Sequence, residues 1–353
     1  MSKQGLVERL ANGGDLIVAE GYLFEFERRG YLKAGAFVPE VVLEHPNLVK
    51  NLHEEFVHAG SDVVLAFTYY GHREKMRLTG REDQLEALNL EALKIARQVA
   101  DETGTLMAGN ICNTTVFRRD SQTHIEQTEA MFKEQVEWAV QGGADFILAE
   151  TFSEYPEARL ALECIQKYGQ GIPAVVNIVP HVSSTTFDGQ TFGAACRKLE
   201  EAGAAVVGVN CCRGPTTIIP VVKEIRQACK GPIAALPVLY RTTPKFPSMQ
   251  SLLDPFSGKQ AFPYDLPAFF CGRSEVYAFG KEAKEIGVQV AGLCCGNSAH
   301  YTRELALAYG RTPPAAKYSP DMSQHFVFGK NKSFSDYYQK GLKQELLTTE
   351  VPK

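Results

Sequence analysis

One unit recurs along the chain and narrows the fold more than any other feature. A helix ends on a small residue and glycine, and a short, continuously apolar run follows at once. Ala59-Gly60-Ser61-Asp62 leads into Val63 to Thr68, and Gly142-Gly143-Ala144-Asp145 into Phe146 to Thr151. Ala202-Gly203-Ala204-Ala205 leads into Val206 to Asn210, and Ile286-Gly287 into Val288 to Leu293. Glycine supplies the left-handed residue that ends a helix. Runs that are apolar at successive positions, with no alternation, suit strands covered on both faces, as in a parallel sheet. Asp15 to Glu20, Thr105 to Ile111, Pro173 to Val179 and Pro232 to Leu239 have the same character.

About eight strand–helix units predict an α/β fold of the closed (β/α)8 TIM-barrel type. A doubly wound open sheet is the competing architecture. It calls for a glycine-rich phosphate loop after the first strand, and Gly21-Tyr22-Leu23 is not one. A chain of 353 residues, 44% hydrophobic, is within the range of a single barrel domain. We place the barrel, with the catalytic domain, at residues 1–316. Residues 317–353, polar and weakly periodic, form a short C-terminal tail or arm. The long Pro-, Ser- and Phe-rich stretch from Arg241 to Gly272 is predicted to follow the seventh strand on the active-site face.

A net charge of −4 gives no bulk electrostatic case for nucleic acid or an anionic membrane. No apolar stretch approaches a membrane span, and Met1 to Leu10 lacks the apolar core of a signal peptide. Nine cysteines are too sparse for a disulfide scaffold. Together these features predict a cytoplasmic protein with reduced thiols.

Four of those cysteines stand out. Cys211-Cys212 follows Val206 to Asn210, and Cys294-Cys295-Gly296 follows Val288 to Leu293. Both pairs fall at the C-terminal ends of predicted strands, where barrel chemistry resides. Neighbouring side chains on a regular strand point to opposite faces, so two adjacent thiols meet only where the strand ends. A lone cysteine is most often core filler, and Cys112, Cys164, Cys196, Cys229 and Cys271 read that way. Two pairs at two matching strand ends point instead to a thiolate–zinc site, with three of the four sulfurs as ligands and one position open.

Gly208-Val209-Asn210-Cys211 and Gly292-Leu293-Cys294-Cys295-Gly296 resemble the zinc-binding signatures of the homocysteine S-methyltransferase family. Phe26 to Gly35, Pro39-Glu40, Glu44-His45-Pro46 and Ile95 to Glu102 resemble its betaine–homocysteine branch. The resemblance runs over roughly residues 5 to 315. It implies a barrel that holds Zn2+ through Cys211, Cys294 and Cys295, with Cys212 a neighbour where the betaine enzymes have histidine. It also implies methyl transfer from an onium donor to homocysteine, giving methionine. The homocysteine sulfur, ionised at the metal's open position, is then the nucleophile.

Site residues carry over by motif. Glu150 matches the family's acidic residue and is assigned to the homocysteine ammonium. Glu20 is a second candidate, because the usual aspartate falls on Ala19. The Gly21 amide approaches the amino-acid carboxylate, and Asn210 lines the pocket. Tyr70 and Phe37 are the aromatic partners of the donor cation. Phe37 replaces the branch's tryptophan, and Thr151 replaces a tyrosine. The donor is accordingly open among betaines, dimethylsulfoniopropionate and S-methylmethionine. The same departures motivate a rival reading, a non-catalytic barrel that binds zinc or an amino acid as sensor or scaffold. Tyr337 and Tyr338 in the tail partly resemble a dimerisation arm, which predicts a homo-oligomer.

Overall fold

A computed structural model describes residues 4–330 and 333–347. Met1 to Lys3 of the polar start and residues 348–353 of the tail lie outside the described residues. Eight parallel strands close into a barrel in chain order. They are β1 (Leu16–Ala19), β2 (Val63–Leu65), β3 (Leu106–Cys112), β4 (Phe146–Phe152), β5 (Ala174–Ile178), β6 (Val206–Asn210), β7 (Ile233–Leu236) and β8 (Val288–Leu293). β8 returns to β1, with Leu16 opposite Val290 and Ala19 opposite Leu293, so the sheet has no edge. Each strand is followed by an outer helix. In order these are α1 (Pro46–Ala59), α2 (Leu85–Thr103), α3 (Gln122–Gln141), α4 (Tyr155–Tyr168), α5 (Phe192–Glu201), α6 (Pro215–Ala228), α7 (Arg273–Ile286) and α8 (Ala299–Ala308).

Strand side chains alternate between two buried clusters. Leu16, Val18, Leu106, Ala108, Phe146, Leu148 and Val175 belong to the one that fills the barrel. Ile17, Val64, Met107, Ile147, Val176 and Val207 pack with helix residues such as Ala96, Phe132 and Leu162. Both faces are covered, which is why the runs are continuously apolar. Each fully buried aliphatic side chain contributes roughly 1.5–3 kcal/mol.

All the predicted strands are present, the first and fifth shorter by a residue at each end and the second and seventh shortened more. β7 stops before Pro237, which has no N–H to continue the ladder. Ser298 occupies the N-cap of α8, but its hydroxyl faces His300 Nδ1 at 3.4 Å and caps no helix amide. At the N-terminal face, acidic residues hold the strands together. Asp62 accepts the Ile17 N–H at 2.7 Å and pairs with Arg311. Asp145 accepts the Met107 N–H at 2.7 Å and the Arg97 guanidinium at 3.2 Å.

Tertiary contacts separate a first compact unit that ends at Pro314 from a second that begins at Ala315. The second contains short helical turns at Met322–Gln324, Tyr337–Leu342 and Lys343–Leu347. Tyr318, Phe326, Tyr337 and Tyr338 are exposed. No helix among the described residues is long and apolar enough to cross a membrane.

Candidate active site

The inward positions of the strands are apolar at the bottom of the barrel and polar at the top. Above Leu16 and Val18 comes Glu20, above Leu106 and Ala108 comes Asn110, and above Phe146 and Leu148 comes Glu150. All three polar residues are buried and line a cavity of about 260 Å³ at the C-terminal mouth. Gly21, Phe37, Tyr70, Cys211, Cys294 and Cys295 line it too.

The sulfurs of Cys211, Cys294 and Cys295 lie within 4.8 Å of one another. Cys211 Sγ is 3.7 Å and Cys294 Sγ 3.9 Å from Cys295 Sγ. The turn after β6 makes this possible. Cys211 and Cys212 both take left-handed conformations, with φ of 64° and 55°. The chain therefore reverses within two residues. Cys211 faces β8, while Cys212 Sγ faces His181 Nδ1 at 3.7 Å. The matching turn after β8 uses Gly296 at φ 87°, where a Cβ would sit 2.9 Å from the Tyr240 ring. Phe37, Tyr70 and Thr151 at the cavity wall also have positive φ. Such strain costs on the order of 1–3 kcal/mol per residue and gathers at functional sites.

The three sulfurs share too little positive charge to ionise together. Thiols of Cys212, Cys294 and Cys295 donate to Cys211 and hold it well below the ordinary thiol range. Cys294 and Cys295 are pushed up, because each is tied to Cys211 and both are buried. A divalent cation is the group that lets all three become thiolates, and the donor set suits zinc.

Two carboxyls stand beside the sulfurs. An oxygen of Glu20, one of Glu150 and Cys294 Sγ lie within 4.8 Å of one another. Glu150 is fixed by Asn110 Nδ2 at 2.6 Å and by Asn210 Nδ2 at 2.5 Å. Neither oxygen of Glu20 has a hydrogen-bond partner among the described residues. Burial pushes Glu150 up to about 7, opposed by the Asn110 bond. Burial, and then the charge of Glu150, raise Glu20 well above the usual carboxylate range. Each of these buried carboxyls disfavours the ionised form of the other, and a cation placed between them would relieve that.

Asn210 departs from expectation. It is fully buried and is not among the residues that line the cavity. Its amide is consumed by Glu150, by Thr151 Oγ1 at 2.8 Å and by the Thr151 N–H at 2.9 Å. It is a strut for Glu150. Gly21, with φ 95°, brings the chain against the β8 turn, and a Cβ there would meet Cys294 O at 2.7 Å.

Phe37 and Tyr70 stand at the aromatic wall, joined by residues that the sequence did not single out. Phe24 lies 5.4 Å from Phe37 and 6.3 Å from Phe262, ring centre to ring centre. Phe24 belongs to a short helix after β1. Phe262 comes from the long loop after β7, which also supplies Met249 and Gln250. His181 was missed as well. It lies just beyond β5, hydrogen-bonds Ser153 Oγ at 2.9 Å and stacks on Phe187. Its place after a strand was the available signal. Nothing in the loop sequence marks Phe262.

The family model for homocysteine S-methyltransferase matches residues 21–309. Betaine–homocysteine S-methyltransferase 1 of Xenopus tropicalis is 33% identical over 90% of this chain and 79% of its own length. S-methylmethionine–homocysteine S-methyltransferase of Mus musculus is 31% identical, covering 90% and 85%. The homocysteine methyltransferase of Escherichia coli in its metallated form superposes with a TM-score of 0.66 at 18% identity. That alignment covers 84% of this chain and 98% of the other, which bears out the barrel fold. With its closed barrel and a matching model over most of its length, the chain belongs to the homocysteine S-methyltransferase family, whose members are enzymes that methylate homocysteine.

Proposed function

We propose that this enzyme moves a methyl group from a methylated onium donor to the sulfur of homocysteine, forming methionine as the donor's C–N or C–S bond breaks and a neutral amine or sulfide leaves with the electron pair, with zinc held by Cys211, Cys294 and Cys295. The observation that carries the reading is the cluster of three sulfurs within 4.8 Å at the mouth of an aromatic-lined cavity. Held by these three sulfurs, zinc would supply the positive charge that keeps a substrate thiol ionised at neutral pH.

The remaining work falls to the protein. Glu150, held by Asn110 and Asn210, accepts from the homocysteine ammonium, and Glu20 stands beside it as a second carboxyl that the ammonium would help to ionise. The Gly21 amide is the partner of the amino-acid carboxylate. The faces of Tyr70, Phe37, Phe24 and Phe262 attract the onium head, each for roughly 0.5–2 kcal/mol. Fixing both reactants in line converts a bimolecular encounter into a preorganised one. No general base is needed once the thiol is ionised.

The test is methionine formation from homocysteine with glycine betaine, dimethylsulfoniopropionate, S-methylmethionine and S-adenosylmethionine, each with and without a zinc chelator. Chelator-sensitive turnover with one onium donor is the expected result. Turnover that survives complete removal of the metal would reject the zinc reading. The exposed aromatics of the tail, Tyr318, Phe326, Tyr337 and Tyr338, support a homo-oligomer. A single species of monomer mass in light scattering at micromolar concentration would reject that.

A further inference from the structure

β4 and β5 fall out of register beside the cavity. Ala149 pairs with Val176 and Phe152 with Ile178, so Glu150 and Thr151 together face the single residue Asn177. That is a β-bulge. On a regular strand neighbouring side chains point to opposite faces. Here Ala149 and Phe152 both belong to the cluster packed against the helices. The two residues between them, Glu150 and Thr151, both line the cavity. The bulge sets a hydroxyl beside the carboxyl on one wall.

This local structure is costly. Thr151 is β-branched yet left-handed, with φ of 64°, a conformation such residues rarely adopt. Asn177 is fully buried, and neither end of its amide has a hydrogen-bond partner among the described residues. Features of this kind persist only where their surroundings hold them, and they gather at functional sites. Asn210 of β6 holds Thr151. The Thr151 N–H donates to Asn210 Oδ1 at 2.9 Å, and Thr151 Oγ1 accepts from Asn210 Nδ2 at 2.8 Å. Asn113 Nδ2 donates to the Thr151 carbonyl at 3.1 Å. The N–H and the hydroxyl of one residue thus grip both ends of one amide. Gripped in this way, Asn210 turns its Nδ2 to Glu150 Oε2 at 2.5 Å. With the amide reversed, its oxygen would face the carboxyl, acceptor against acceptor.

Resting on the reading of Glu150 as the ammonium receptor, we propose that Thr151 is a positioning residue: through Asn210 it aims Glu150 and makes the enzyme select thiols that carry an α-amino group. Asn110 Nδ2 holds the other oxygen, Glu150 Oε1, at 2.6 Å. The carboxyl is therefore fixed on both sides only while the Thr151 clamp is intact. A carboxyl fixed in advance meets an ammonium without losing rotamer freedom at that moment. A thiol with no amino group gains nothing from it.

The experiment is calorimetric binding to the full-length, zinc-loaded enzyme under reducing conditions, which needs no methyl donor. The ligands are homocysteine and 4-mercaptobutyrate, the same chain without the amino group. Thr151→Val is expected to raise the homocysteine Kd by about threefold to tenfold, the worth of one hydrogen bond. The Kd of 4-mercaptobutyrate and the zinc content hold. Thr151→Ser restores homocysteine affinity. Thr151→Ala, which cannot crowd the bulge, repeats the effect of Thr151→Val and replaces it as the test if that variant folds poorly. An unchanged homocysteine Kd in the hydroxyl-free variants overturns the proposal. So does an equal weakening of both thiols, which would make Thr151 only a support for the cavity wall. Failure of the ammonium reading itself is told apart at Glu150: homocysteine affinity unaltered by Glu150→Gln sinks that reading with Thr151 left in place.

Discussion

Adjacent cysteines at 211 and 212 have different surroundings, and that difference can be tested. Cys211 lies among the sulfurs of β8, whereas Cys212 faces His181. Cys295→Ala is expected to abolish zinc retention and turnover together, since two sulfurs hold the metal far less well than three. Cys212→Ala is expected to keep the metal. Metal analysis after exhaustive dialysis checks both, and full zinc content in Cys295→Ala would reject the ligand set. Glu150→Gln keeps the shape of the side chain and removes its charge. It should raise the homocysteine KM about tenfold to a hundredfold, the worth of a hydrogen bond to a charged group. Zinc content should not change. An unaltered homocysteine KM would remove Glu150 from the ammonium site.

At the scale of elements, the two ends of each strand do different work. The C-terminal ends carry the cavity, while the N-terminal ends are tied by buried or half-buried carboxylates that accept backbone amides. Asp145 joins β3, β4 and α2 through the Met107 N–H and Arg97. Asp145→Ala leaves that amide without its partner and is expected to cost about 1–3 kcal/mol of stability. The urea midpoint should fall while the KM values for both substrates hold. A change in KM with unchanged stability would contradict this division between the two faces.

The whole molecule carries two buried histidines that fold in the neutral state. Burial lowers His53 to about 3 and His72 to about 4. In the unfolded chain each titrates near about 6.5. As pH falls below that value, the unfolded chain takes up protons that the folded one refuses. Stability is therefore full above about pH 6.5 and is lost progressively toward about pH 3–4. His53→Gln should make this decline shallower, by up to about 1.4 kcal/mol per pH unit for one proton fewer. Thermal unfolding of both proteins between pH 7 and 4 is the measurement. Parallel curves would show that His53 is not neutral in the fold.

The barrel was legible in the sequence because its causes are local. Glycine ends each helix, and an apolar run with no alternation has to be covered on both faces. The sulfur cluster was legible for a related reason, since cysteines at two strand ends meet wherever the strands converge. Local pattern could not say that Asn210 turns inward to hold Glu150, because an amide at a strand end looks the same whether it faces cavity or carboxylate. Nor could it bring Phe24 and Phe262 together from segments more than two hundred residues apart. The sequence by itself determined the order of strands and helices and the chemical types available at their ends. Only the closed barrel decided which of those side chains share one cavity, because closure brings β8 back against β1 and lets distant loops cover the same mouth.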